Sequence, residues 1–265
     1  MNKITLLGAA GLTLALGGSA LAADFPVKAT FAQRFTWTSC YLGMHAGGAW
    51  INNSVTDPVL LVQDNGFLGG PGFTTGGPTT VGVSQSGAVV GGQLGCDYEF
   101  PSNLAIGIEG AASGATLSGT RAFALPNSPP DTGLLTIKTD FITSVTGRVG
   151  YAADHWLFYG KGGVAFANSK SSVTGGFTNA GTVLPATAFD FEGQSTLTGW
   201  TAGVGAEWAF ADDWSARLEY DYYDFGTHTA TMLDNINGGA AGPLSFKTTM
   251  QTVKLGVNFH VRGWE

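Results

Sequence analysis

Between Gly199 and Phe210 the chain reads GWTAGVGAEWAF, and the character of the side chain changes at every step. In an extended strand Trp200, Ala202, Val204, Ala206, Trp208 and Phe210 share one face, and Thr201, Gly203, Gly205 and Glu207 share the other. From Trp214 the pattern repeats: Trp214, Ala216, Leu218, Tyr220 and Tyr222 point one way, and Ser215, Arg217, Glu219 and Asp221 point back. The short Ala211-Asp212-Asp213 connection makes the two segments a hairpin. A helical alternative is disfavoured by the 41 glycines among 265 residues, since each costs about 0.5–1 kcal/mol relative to Ala inside a helix. Disorder is disfavoured by 12% aromatic and only 12% charged residues.

The same period predicts eight strands, near Cys40 to Trp50, Gly87 to Tyr98, Leu104 to Thr116, Phe141 to Tyr151, Trp156 to Asn168, Thr198 to Phe210, Trp214 to Phe225 and Thr249 to Val261. Glu99 to Asn103, Ala152 to His155 and Ala211 to Asp213 read as tight turns. Ile51 to Ser86, Leu117 to Asp140, Ser169 to Leu197 and Gly226 to Thr248 read as long loops rich in Gly, Thr, Asn and Pro. Short turns at one end and long loops at the other predict an all-β fold, an eight-stranded antiparallel up-and-down transmembrane β-barrel.

A soluble eight-stranded barrel would turn its apolar face inward, so the sign of each face decides. Here the charged residues share a face with glycines and other small residues, as a crowded interior requires. By parity Glu109, Arg148, Lys161, Glu207, Arg217, Glu219, Asp221 and Lys254 point inward, four acids and four bases. Such a set reads either as a pore lining or as mutual salt bridges filling a lumen just wide enough for side chains; the second is expected. The opposite face is aliphatic at mid-strand and aromatic near the strand ends. Tyr98, Tyr151, Trp156, Trp208, Phe210, Trp214 and Phe259 fall at the periplasmic rim, and Trp50, Phe141, Phe166, Trp200 and Tyr222 at the other, as two interfacial girdles.

Residues 1–22 read as a secretory signal peptide: Lys3, an apolar run from Ile4 to Gly18, and Ala20-Leu21-Ala22 before the cut. Residues 23–38 are then a periplasmic N-terminal segment, and 39–265 the barrel with four long extracellular loops. Setting Lys3 aside leaves 11 of the 12 basic residues against 19 acidic, a formal charge of −8. No nucleic acid is expected as a partner, because phosphate neutralisation needs clustered Lys and Arg. His45, His155, His228 and His260 are scattered, so no metal site is expected, and no arrangement marks a nucleophile, so no enzyme is expected.

The segments ADFPVKA, FTWTSCYLGMHAGGAW, GGQLGCDYEF, IGIEG, TGRVGYA, WLFYGKGGVAF, GWTAGVGAEWAF, DDWSARLEYDYYDFG and FKTTMQTVKLGVNF together resemble the small outer-membrane β-barrel proteins of alphaproteobacteria. That family includes surface antigens often labelled porins and some haemin-binding members. The resemblance spans nearly all of the chain after residue 22. It implies an eight-stranded barrel in the outer membrane of a Gram-negative bacterium, and no single activity. Three departures stand out. Cys40 and Cys96 replace aromatics usual in the family, and both take lipid-facing parity at the periplasmic ends of neighbouring strands. They form either a disulfide in the oxidising compartment or two separate lipid-facing thiols; the sequence leaves both open. At the end, Val261 stands where an assembly-promoting aromatic is usual, and Arg262-Gly263-Trp264-Glu265 follows.

The expected function is a structural or surface-interaction role, exerted through envelope integrity and loop binding around a plugged interior. A narrow passive porin-type channel and a haemin-binding surface protein are the alternatives. The loops offer Asp57, Asp64, Asp131, Asp190, Glu192 and Asp234, and the aromatics Phe67, Phe73, Phe123, Phe177 and Phe189. Lys138, Lys170 and Lys247 near the outer rim are candidates for lipopolysaccharide phosphates. No cofactor is expected; were haem bound, His228 would be the axial candidate. Expected partners are outer-membrane lipids, lipopolysaccharide and the barrel-insertion machinery, with the oligomeric state open.

Overall fold

The computed structural model describes residues 35–56, 80–124, 132–175, 178–179, 182–183, 188–236, 238 and 240–261. Residues 1–22, expected to be a leader, most of the 23–38 segment, and Arg262 to Glu265 lie outside them. The strands are β1 (Ser39–Thr56), β2 (Thr80–Glu99), β3 (Leu104–Ala124), β4 (Thr132–Ala153), β5 (Trp156–Gly175), β6 (Thr178–Asn179), β7 (Thr182–Val183), β8 (Phe189–Ala211), β9 (Trp214–Asp234) and β10 (Ala240–Val261). Eight of them close a barrel in the order β1-β10-β9-β8-β5-β4-β3-β2. The dipeptide strands β6 and β7 pair only with each other, in the connection between β5 and β8. Closure is antiparallel, with β1 and β10 in register from Cys40↔Val261 to Thr56↔Ser245.

The expected tight turns are present. Asn103 and Asp154 sit in them with φ of 64° and 56°, the left-handed region that Asn and Asp tolerate better than other side chains. At the other end the structure corrects the sequence reading. The eight barrel strands run 18 to 23 residues, whereas a tilted strand needs about 9–11 to cross a bilayer. Residues expected in the long loops therefore continue the ladders: Thr80 to Ser86 belong to β2, Leu117 to Ala124 to β3, Thr132 to Asp140 to β4, and Phe189 to Leu197 to β8. Their Thr, Ser and Gly content resembles loop composition, but Val81, Val83, Leu117, Phe123, Leu135, Ile137, Phe189, Phe191 and Leu197 alternate with it and pack inward. Val81, Val83, Phe123, Leu135, Val173, Phe189, Phe191, Met232, Leu244 and Phe246 form a separate apolar core at the loop end.

Two glycines show why the inner face is crowded. A Cβ on Gly163 would lie 2.8 Å from the Cα of Thr146, and one on Gly91 would lie 2.7 Å from the Cα of Ser113. Neighbouring backbone fills the space that a side chain would need. Outward, Leu42, Met44, Val90, Leu94, Ile108, Val204, Leu218 and Leu255 are all exposed, a continuous apolar band that suits lipid and no other solvent.

Candidate functional site

The barrel interior is layered. At the turn end Phe35 and Trp37, the last residues of the segment placed in the periplasm, enter the mouth and pack on Ala105, Ala152, Leu157, Tyr159 and Ala209. Next comes the charged layer. Towards the loops Ile51, Val89, Leu117, Ile142, Leu197, Tyr223, Phe225 and Met250 form a middle apolar layer, with the outer core beyond it.

All eight inward charges read from parity are buried, none more than 7% exposed, and they form one network. Glu109 takes Lys161 Nζ at 3.1 Å on Oε1; on Oε2 it accepts from the Tyr41 hydroxyl at 2.8 Å and from Arg217. Glu219 holds Lys161 at 2.6 Å, Lys254 at 3.0 Å and Arg217 at 3.2 Å, and accepts from the Tyr159 hydroxyl at 2.9 Å. Asp221 holds Lys254 at 2.6 Å and Lys161 at 3.2 Å. Arg148 reaches Glu207 at 3.1 Å, lies over the Tyr159 ring at 4.0 Å and donates to the Tyr41 hydroxyl.

Several members escaped the sequence reading. Arg148 also pairs with Asp97 at 3.3 Å, making five acids to four bases. The outward parity assigned to Cys96 already places Asp97 inside, so that signal was available. Glu207 accepts from Asn258 at 2.6 Å and Ser215 at 2.5 Å, and His260 bridges Ser39 and Ser215 at 2.9 and 2.8 Å. His45 bridges Gln93 and Ser113 at 2.5 and 2.7 Å. Ser39, His260 and Glu207 are hydrolase residue types, but Trp37 and Phe35 lie over the His260 ring at 5.8 and 6.0 Å, and Ser39 is buried. Among the described residues no group of His, Cys, Asp and Glu is arranged to hold a metal ion.

The girdle residues all face outward. Tyr98, Tyr151, Trp156, Trp208, Phe210, Trp214 and Phe259 surround the turn end, and Trp50, Phe141, Phe166, Trp200 and Tyr222 the other side of the aliphatic band. Trp156 stacks on Trp208 with ring centres 6.1 Å apart, Trp214 meets Phe259 at 5.1 Å, and Trp200 meets Tyr222 at 5.5 Å. Trp200 and Trp208 both lie on β8; eight residues make about 27 Å of strand, or about 20 Å of height at the usual tilt.

Cys40 and Cys96 are direct partners of the β1–β2 ladder and are joined in a disulfide, which resolves the two readings in favour of the bridge. Thiol labelling of the denatured protein is expected to give no modification before reduction and two modified cysteines after it. Labelling without reductant would contradict the bond.

The loop candidates fare differently. Phe123 and Phe189 are buried in the outer core, which corrects their reading as exposed contact residues. They lie on strands whose parity turns them inward. Asp57, Asp64, Phe67, Phe73, Asp131 and Phe177 lie outside the described residues. Asp190, Glu192 and Asp234 sit at the outer ends of β8 and β9. His228, expected in a loop, lies on β9 with its ring stacked on Phe246 at 5.4 Å; burial pushes its imidazole below the ordinary range and keeps it neutral near pH 7. Lys138 and Lys170 are exposed on β4 and β5, and Lys247 is exposed on β10.

A family model described as "Outer membrane protein beta-barrel domain" matches residues 10–259. The 31 kDa outer-membrane immunogenic protein of Brucella melitensis is 27% identical over 248 residues, which cover 91% of this chain and 93% of the relative. An uncharacterized protein of Coxiella burnetii is 28% identical over 202 residues, 73% of this chain and 76% of its own. Among solved structures, the outer membrane protease OmpT of Escherichia coli is similar over 86% of this chain and 98% of its own, with a TM-score of 0.47 at 8% identity.

Proposed function

Because the chain belongs to the outer membrane protein beta-barrel domain family, whose members place it in the outer membrane of a Gram-negative bacterium, we propose that it is a non-conducting, non-enzymatic barrel that works through its surface. One observation carries this reading: the lumen is filled. A water-filled pore leaves its lining wet, whereas here the charged inner residues are at most 7% exposed and already paired with one another. An ion crossing would have to break that network and then pass the apolar layer of Ile51, Leu117, Leu197 and Phe225, which offers it nothing in exchange for its hydration.

The surface offered instead is a stiff collar. About a third of β1 and β2 and about half of each other barrel strand stand beyond the outer girdle, held by an apolar core of their own, so the connecting segments are displayed on a packed support. The name of the Brucella relative, an immunogenic protein of the outer membrane, agrees with a chain presented outward. Residues 1–22 serve in this reading as the export leader, and the insertion machinery meets the closing strand β10.

Single-channel recording in planar bilayers tests the closed lumen. The expected record is a flat baseline under applied voltage. Steady openings of uniform size would overturn the reading and restore the narrow channel.

A further inference from the structure

Beyond the outer girdle, the outward face of β4, β5, β8 and β9 is hollowed into an open cleft of about 850 Å³, lined by Lys138, Lys170, Glu192, Gln194 and Thr231 among others. Lys138 and Lys170 are direct partners across the β4–β5 ladder. Like charges placed directly opposite destabilise a sheet, so this pair asks for an anion. Lys170 has one in Asp140, at 2.9 Å, but both side chains are about half exposed (54% and 51%), and such a pair is weak and exchanges readily. Among the described residues Lys138 makes no ion pair.

Height above the bilayer adds an independent constraint. Lys138 lies three residues beyond Phe141, and Lys170 four beyond Phe166, which is about 10–13 Å of strand past the outer girdle. That is the level of outer-leaflet headgroups, and the cleft opens on the face that meets lipid. Its volume far exceeds a single phosphate and suits a phosphate carried on a sugar ring. Gln194 and Thr231 supply donors and acceptors for hydroxyl groups.

We propose that this cleft binds the phosphorylated sugar headgroup of an outer-leaflet lipid. The phosphate lies over Lys138 and Lys170, displacing Asp140 from Lys170, and the sugar hydroxyls turn towards Gln194, Thr231 and Glu192. The Glu192 carboxylate at that side of the cleft accepts from hydroxyls and repels a second phosphate, which sets the orientation. Lys247 lacks this arrangement: its ladder neighbours are Ser54 and Thr227, and it stands as a single charge. The site is independent of whether the lumen conducts; it rests only on the membrane setting of the barrel.

Native mass spectrometry of the full chain refolded in detergent, with bisphosphorylated lipid A as the probe, tests the site. Wild type should retain one lipid. The K138Q/K170Q variant should weaken retention by roughly tenfold or more, the effect of losing charged hydrogen bonds, and K247Q should leave it unchanged. Glucosamine 1-phosphate, the same chemistry without acyl chains, should compete only at far higher concentration. Undiminished retention by K138Q/K170Q, an equal loss in K247Q, or competition by the soluble phosphosugar at lipid concentrations would each overturn the proposal. Unboiled gel migration confirms that each variant is folded, and K138Q alone, at a lysine with no ion pair to lose, serves if the double variant is not.

Discussion

Replacing Arg148 with Met is expected to destabilise the barrel by about 3–5 kcal/mol, the range seen when one partner of a buried ion pair is removed. Arg148 is the Lys or Arg that reaches both Asp97, at 3.3 Å, and Glu207, at 3.1 Å. Glu109 would lose only one cation of several, since Lys161 and Arg217 remain beside it. The cost therefore comes from two carboxylates left in a dry interior rather than from the pair's own attraction. Unfolding in urea, followed by tryptophan emission from lipid vesicles, measures it. Neutralising the stranded acids in the triple variant R148M/D97N/E207Q should return part of the loss. A single-variant cost below about 1 kcal/mol would mean that water reaches this layer and that the lumen is not closed there.

Trp37→Ala should cost a similar amount, about 3–5 kcal/mol, because it empties the largest side chain of the turn-end core. Trp37 is fully buried, meets Phe35 at 4.8 Å and His260 at 5.8 Å, and donates from its indole to the carbonyl of Asp154 at 3.3 Å. Its backbone amide donates to Glu99 at 2.9 Å. The same unfolding assay reads the loss. In planar bilayers the variant should stay closed, since the charged and apolar layers remain intact behind the missing plug. A conducting W37A would show that the seal is the indole and that the network is permeable. A fully stable W37A would show that the entering segment is not part of the folded barrel.

The lower half of this architecture is legible in the chain because alternation there is strong. Bulky aliphatic and aromatic residues alternate with Gly, Glu and Arg, and any other register would place charges in lipid. Hence the eight inward charges and the girdle aromatics lie where parity sends them. The outer half is legible only in retrospect. Thr80 to Ser86 or Phe189 to Leu197 carry too many small polar residues to announce a strand, and their ladders depend on an apolar core assembled from Val81, Phe123, Leu135, Phe191 and Phe246, far apart in sequence. Asp97 was within reach of the same parity argument.

Local order in the chain thus determined the strand period, the face each side chain takes, and so the lipid-facing exterior and charged interior; these follow from the pleat and the solvent on either side. Which charge meets which was decided only by closure. Glu109 on β3 meets Arg217 on β9, and Lys161 on β5 meets both Glu219 and Glu109, because the barrel folds opposite walls to within a side chain's reach. Cys40 beside Cys96 and Lys138 opposite Lys170 are instead set by the register of sequence-adjacent strands. Pairing across the lumen depends on strand stagger and barrel radius, which are properties of the whole ring and of no single segment.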